Sequence, residues 1–297
     1  MLWPQPFHDL RELRLSSGAV RYRDVGNGPV LLFLHGLFTN GNLWRMVAPP
    51  LAAQGYRCIV PDWPLGAHTV PMDRNARLDP PALADLVVAF MEKLDLTDVT
   101  LVGNDTGGAI VQLVAAGRRE RVERLVLTDC DAFERFPPRL FSYLKWGAHI
   151  PGMLYLMAQP LRFPFLHRLP MTFGWLTKRP IEPVVIKSYL RPAVADPAIR
   201  RDTGKLLRGV HKKHTLAAAR RLPDFPGPVL IAWAREDRIF PAADATRLAD
   251  LFKDARVELI EDSYTLVSED QPDRLAALIG DFLRQTDSAD DPVQAAG

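Results

Sequence analysis

Apolar residues along the chain follow two alternating rhythms. Leu13–Leu15, Val20–Val25 and Val30–Leu34 are short β-type runs, the third continuously apolar as in a strand covered on both faces. Asn42 to Gln54 has helical character and ends at Gly55. A strand is expected over Arg57–Val60, stopped by Pro61-Asp62, and Asp79 reads as the N-cap of a helix running to about Leu94. Thr100–Gly103, Gly107–Arg119 and Arg124–Thr128 read as strand, helix and strand. Later the rhythm returns as a strand over Val229–Ala234, a helix over Ala242–Phe252, a strand over Val257–Ile260 and a closing helix over Ser268–Leu283. Strands separated by helices of this length predict an α/β fold: eight strands in a mostly parallel sheet, helices on both faces, and a helical cap inserted after strand 6.

The interruption sets the expected organisation. Residues 133–222 hold 17 Lys and Arg against four Asp and Glu, and ten of the 26 prolines, although the whole chain of 297 residues carries a net charge of only +2. We therefore divide the chain into a core of residues 1–132 and 223–286, a helical lid of residues 133–222, and a disordered polar tail of residues 287–297. The basic lid suits docking against an acidic host. An anionic ligand or membrane surface is a second possibility, and dispersal of the basic residues argues against nucleic acid.

Composition excludes several classes. With 47% hydrophobic and 24% charged residues the chain can build a sizeable core. No apolar run approaches the ~20 residues of a membrane helix, so no integral membrane association is expected. The first residues lack the pattern of a signal peptide, and Cys58 and Cys130 lie in apolar runs as small hydrophobes, which together suggest a cytoplasmic protein. No metal-ligand spacing is present; no metal or cofactor is expected, and the oligomeric state is left open.

The sharpest motif is Gly103-Asn104-Asp105-Thr106-Gly107-Gly108, between a strand and a helix. It has the form Gly-x-nucleophile-x-Gly-Gly, in which glycines permit a strained turn and close approach of chain segments. Such a turn presents Asp105 at the C-terminal edge of the sheet, beside the positive end of a helix. Phe33-Leu34-His35-Gly36-Leu37 follows the third strand, with Trp44 completing His-Gly-x₇-Trp.

With these motifs the chain, from about Leu13 to Leu283, resembles the α/β-hydrolase family in its Asp-nucleophile branch of haloalkane dehalogenases and epoxide hydrolases. The resemblance implies backbone N–H donors of an oxyanion hole at Leu37 and Thr106. It implies Asp237, within Ala234-Arg235-Glu236-Asp237-Arg238, as the carboxylate that orients a catalytic histidine. A carboxylate nucleophile needs no base to attack an sp³ carbon bearing a halide or an epoxide oxygen, but the resulting ester must then be hydrolysed by activated water.

Relatives carry that base as Asp-Ser-Gly-His; this chain reads Asp262-Ser263-Tyr264-Thr265. The last histidine in the sequence is His214, so Thr265 stands where the imidazole is expected. A threonine hydroxyl can position a water or a substrate but cannot act as a base near neutrality. The resemblance departs at branch-specific positions too: Thr106 and Leu37 stand where dehalogenases hold the halide, and Phe38 where epoxide hydrolases carry the Pro of His-Gly-x-Pro. Tyr143, Tyr155 and Tyr189 are the available lid tyrosines, and His68, in the loop leaving the fourth strand, is the best substitute base. His35, Phe38, Trp44, His68, Tyr155 and Tyr264 are the candidate substrate contacts. Apolar lid residues from Met153 to Trp175 suggest a chamber for an apolar small molecule, shared with the lid's own core.

Three readings stay open on sequence. One is a hydrolase acting through Asp105, with Asp237 and Thr265 in support. Another is a lyase, isomerase or cyclase using Asp105 for proton transfer. The last is a ligand-binding, catalytically retired homologue.

Overall fold

The computed structural model describes residues 3–5 and 7–289. Eight strands form one sheet: β1 (Arg11–Leu15), β2 (Gly18–Val25), β3 (Val30–Leu34), β4 (Arg57–Pro61), β5 (Val99–Asp105), β6 (Val122–Cys130), β7 (Val229–Ala234) and β8 (Ala255–Ile260). Their order across the sheet is β1-β2-β4-β3-β5-β6-β7-β8. β2 pairs antiparallel with β1 and β4, and every pairing from β4 through β8 is parallel. The chain leaves β3 first for β4 on one side and then for β5 on the other. The crevice beyond the carboxyl ends of β3 and β5 is therefore a topological switch point, where open α/β sheets bind ligands.

Helices α1 (Ala48–Ala53), α2 (Pro80–Lys93) and α3 (Thr106–Gly117) cross between the early strands. Helices α4 (Ser142–Gly147), α5 (Met153–Ala158), α6 (Pro183–Ala195), α7 (Pro197–Gly209) and α8 (Lys212–Ala219) form an excursion between β6 and β7. Helices α9 (Ala242–Ala249), α10 (Val267–Asp270) and α11 (Pro272–Ala289) complete the described chain. The uninterrupted apolarity of β3 now has its cause. Leu32 and Leu34 pack into one core with α2 and α3, while Leu31 and Phe33 enter the opposite core with Trp44, Leu51 and α11.

Asp79 caps α2, its carboxylate accepting from Ala82 N at 3.0 Å. Three expectations are corrected. The helix expected over Asn42–Gln54 is a 3₁₀ turn at Gly41–Trp44 followed by the short α1, because Pro49 and Pro50 lack N–H donors and belong in a first helical turn. The closing helix is divided at Gln271, since Pro272 starts α11 afresh. The tail expected to be disordered from Asp287 is helical through Ala289, with Asp287 2.8 Å from Arg124. The remainder of that tail lies outside the described residues.

The excursion docks on acidic groups of the sheet domain, as its charge suggested. Lys178 pairs with Glu236 and Asp262, Arg179 with Asp262, and Arg135 with Asp244. Asp270 accepts from the backbone N–H groups of Lys178 and Arg179. A buried pair adds to this seam: Arg45 reaches both oxygens of Glu269 at 2.6 and 2.9 Å, and Tyr189 of α6 donates to Glu269 Oε1 at 3.1 Å. No helix among the described residues is long and apolar enough to cross a membrane.

Candidate active site

β5 passes into α3 with no intervening loop, so Asp105 takes the whole change of direction at φ 51° and ψ −127°. A non-glycine residue holds this geometry only under tertiary constraint. The surrounding glycines supply it. A Cβ on Gly107 would lie 2.4 Å from Leu34 O, and one on Gly36 would lie 2.3 Å from Asp105 Oδ2. Asp105 does not cap α3 with its side chain; instead its Oδ2 accepts from Leu37 N at 2.9 Å.

The Asp105 carboxyl is raised to about 7. Burial is the main cause, opposed by the N–H groups of Leu37 and Thr106, with the charge of Asp237 raising it further. It lies against a cavity of about 290 Å³ whose wall is mostly apolar. Leu37, Phe38 and Phe136 come from the sheet edge and the start of the excursion. Leu144, Leu154, Met157, Leu161 and Leu206 come from its helices and turns. Asp105, Thr106 and Asp131 are its acidic and hydroxyl groups at the strand ends.

Asp131 was not singled out by sequence reasoning. It follows β6, is 1% exposed, and accepts from Thr106 Oγ1 at 3.1 Å through Oδ2. Its Oδ1 has no hydrogen-bond partner among the described residues. Burial, and then the neighbouring charge of Asp105, hold its carboxyl well above the usual range. Two buried carboxyls side by side resist double ionisation. The available signal was Thr128-Asp129-Cys130-Asp131, two acids following the apolar run Leu125-Val126-Leu127 at the sheet edge that carries Asp105.

A second carboxyl pair lies deeper. Asp237 Oδ1 accepts from Ile239 N at 2.6 Å, Phe240 N at 2.9 Å and Thr265 Oγ1 at 3.0 Å. Asp129 Oδ1 accepts from Ala234 N at 2.9 Å. Asp129 Oδ2 and Asp237 Oδ2 have no hydrogen-bond partner among the described residues, and burial raises both carboxyls, Asp129 strongly. Thr265 is fully buried, its carbonyl accepting from Asn104 Nδ2 at 2.9 Å, and it is not among the residues lining the cavity.

The candidate substrate contacts separate. Phe38 lines the cavity. His35 is sealed beneath it: Nε2 accepts from Trp63 N at 2.9 Å, Nδ1 donates to Gly36 O at 2.9 Å, and burial lowers its pKa to about 4. Trp44 packs in the core against Phe33. His68, 2% exposed, has Nε2 3.4 Å from Asp202 of α7 and is not brought to the cavity. Tyr155 lies half-exposed under Arg200, and Tyr264 stacks with Arg238; neither ring lines the cavity. Of Tyr143, Tyr155 and Tyr189 only Tyr143 lines it, and its hydroxyl donates to Met171 O. Tyr189 is spent on Glu269.

A parallel sheet with a nucleophile-type turn after β5, and backbone donors after β3, defines the class. The chain belongs to the alpha/beta hydrolase fold family, whose model matches residues 29–272. It is 27% identical over 285 residues to 2-hydroxymuconate semialdehyde hydrolase of Pseudomonas sp. (strain CF600), covering 94% of this chain and 95% of that protein. It is 28% identical over 270 residues to haloalkane dehalogenase 2 of Mycobacterium tuberculosis (strain ATCC 25618 / H37Rv), covering 89% and 91%. The solved structure of haloalkane dehalogenase DbeA from Bradyrhizobium elkani USDA94 superposes with a TM-score of 0.78 at 21% identity, over 95% of this chain and 99% of that one. At that identity the match speaks for the fold.

Proposed function

We propose that this chain is a hydrolase acting on an apolar small molecule bearing an epoxide or a halide, with Asp105 as nucleophile and Asp131 as the acid–base group in place of an imidazole. The observation that carries the reading is the Asp105 carboxyl, held by Leu37 N–H, on the wall of an apolar cavity that Asp131 also lines. The curated relatives are named for hydrolysis of a semialdehyde and removal of halide.

In the first step one Asp105 oxygen attacks the substrate carbon while the other stays on Leu37 N–H. A carbon–oxygen bond forms, and the leaving atom departs with its electron pair, as halide or as an epoxide oxygen that takes the Asp131 proton. Esterification neutralises Asp105 and so removes one of the causes that hold a proton on Asp131. Where halide has left, that proton goes to solvent. Ionised Asp131 then takes a proton from water as its oxygen attacks the ester carbonyl. The N–H groups of Leu37 and Thr106 hold the oxyanion. Collapse breaks the ester bond, the alcohol oxygen leaves with a proton, and the pair returns to one proton.

Intact-mass measurement after exposure to styrene oxide and bromohexane tests this. Wild type is expected to gain a transient adduct and release product, and Asp105→Asn to do neither. The near-neutral Asp105 carboxyl favours one second reading, proton transfer in a lyase, isomerase or cyclase. Turnover of a substrate with no adduct at any time would select it and reject the nucleophile. Absence of adduct and turnover across epoxides and halides would leave a ligand-binding protein.

A further inference from the structure

Ten large hydrophobic side chains are exposed among the described residues, and eight of them fall between Trp146 and Met171. Trp146 and Phe165 are each 74% exposed, and Leu156 is 60%. A scattered exposed hydrophobe is ordinary, but this concentration in one segment is not. The segment is continuous in space: α4 packs on α5, α5 on the turn at Gln159–Arg162, and that turn on the next, Pro164–Arg168. Phe163 and Phe165 lie with ring centres 6.0 Å apart.

Charge on this surface has one sign. From Arg135 to Ile181 the chain has seven Lys and Arg and no Asp or Glu. Arg135, Lys178 and Arg179 are consumed by acids of the sheet domain. Arg168 donates only to the carbonyls of Lys178 and Arg179, and Arg139, Lys145 and Arg162 have no carboxylate partner among the described residues. The same segment forms part of the cavity wall through Leu154, Leu161, Leu166 and Met171.

We infer that this face of the excursion docks on an anionic lipid surface, with Trp146, Leu156, Phe163 and Phe165 inserted among the lipids and the exposed Arg139, Arg162 and Arg168 at the headgroups. Aromatic and aliphatic side chains projecting from several short turns, flanked by basic groups, suit the boundary between headgroups and acyl chains. No acid on the segment repels an anionic headgroup. Because outer and inner surfaces belong to one segment, docking places the wall of the apolar cavity next to a reservoir of apolar compounds. This inference does not depend on the reaction performed at Asp105.

Co-sedimentation with vesicles tests it, using phosphatidylcholine alone and phosphatidylcholine with about one-third phosphatidylglycerol. The protein is expected on the anionic vesicles and to be released as salt rises from about 0.05 to about 0.5 M. Tryptophan emission should shift to the blue on binding, and this shift should vanish in Trp146→Phe. Phe163→Ser/Phe165→Ser and, separately, Arg162→Glu should weaken partition at least about tenfold. None of these side chains lines the cavity, so the melting temperature and reaction with styrene oxide should match wild type. Failure to partition onto anionic vesicles would overturn the inference, as would equal partition of the double Phe variant. Burial of Trp146 by self-association without lipid, seen by sedimentation velocity, would overturn it by assigning the face to a second copy.

Discussion

Thr265 donates its hydroxyl to Asp237 Oδ1 at 3.0 Å. The carboxylate after β7 and the residue after β8 thus retain a direct bond although no imidazole is present. Asp237 Oδ1 also accepts from Ile239 N and Phe240 N, while its Oδ2 is buried without a hydrogen-bond partner among the described residues.

Thr265→His is therefore expected to insert an imidazole that Asp237 can orient. Loss of the Asp105 adduct, followed by intact mass after a styrene oxide pulse, should accelerate at least about tenfold. A folded variant with unchanged adduct lifetime would show that an imidazole there does not reach the ester.

Asp131→Asn keeps shape and the bond from Thr106 but removes the titratable group. Adduct formation from bromohexane should persist, because halide needs no proton, while adduct loss should slow by about a hundredfold or more. Adduct loss at the wild-type rate would remove Asp131 from the mechanism and leave Asp105 as nucleophile. Formate should partly restore adduct loss in Asp131→Ala, which a purely structural role would not allow.

Asp105 also sets a pH dependence. Its reactive form is the carboxylate, so adduct formation should rise with pH through a midpoint near 7. Stability should move oppositely. The folded carboxyl titrates near 7 against an ordinary 3.8, so the folded chain holds a proton that the unfolded chain has lost. The stabilisation is fully present below the ordinary value and is lost as pH rises through the folded one. Asp105→Asn should melt roughly 3–8 °C above wild type at about pH 8, with a smaller difference at about pH 5. A variant that melts lower at about pH 8 would contradict this.

Glu269 gives a test remote from the cavity. Glu269→Ala strands the buried Arg45 guanidinium and the Tyr189 hydroxyl, and should cost roughly 3–5 kcal/mol in denaturant unfolding. A loss under about 1 kcal/mol would mean that water replaces the lost partners.

Local chemistry made much of the frame legible. β3 is recognisable because five consecutive apolar residues suit a strand covered on both faces, and Asp79 because a cap acts within one helical turn. Gly103-Asn104-Asp105-Thr106-Gly107-Gly108 is legible because a strained strand-to-helix turn demands small residues beside the one it presents. That no histidine follows His214 is likewise legible in the sequence.

Partners distant in sequence were decided by tertiary structure. His35 and His68 are both candidate substrate contacts in the chain, yet one is tied to Trp63 N and the other to Asp202, 134 residues away. Met153 to Trp175 reads as one apolar stretch, yet its short turns send Met157 and Leu161 to the cavity and Phe163 and Phe165 to the surface. Asp131 acquires its raised proton affinity only because the parallel pairing of β5 and β6 sets two buried carboxyls on one cavity wall. Burial and charge proximity are properties of assembled strands. Local residue chemistry along the chain set which turns and elements could form; the sheet decided which acids meet, because desolvation and repulsion act through space rather than along the chain.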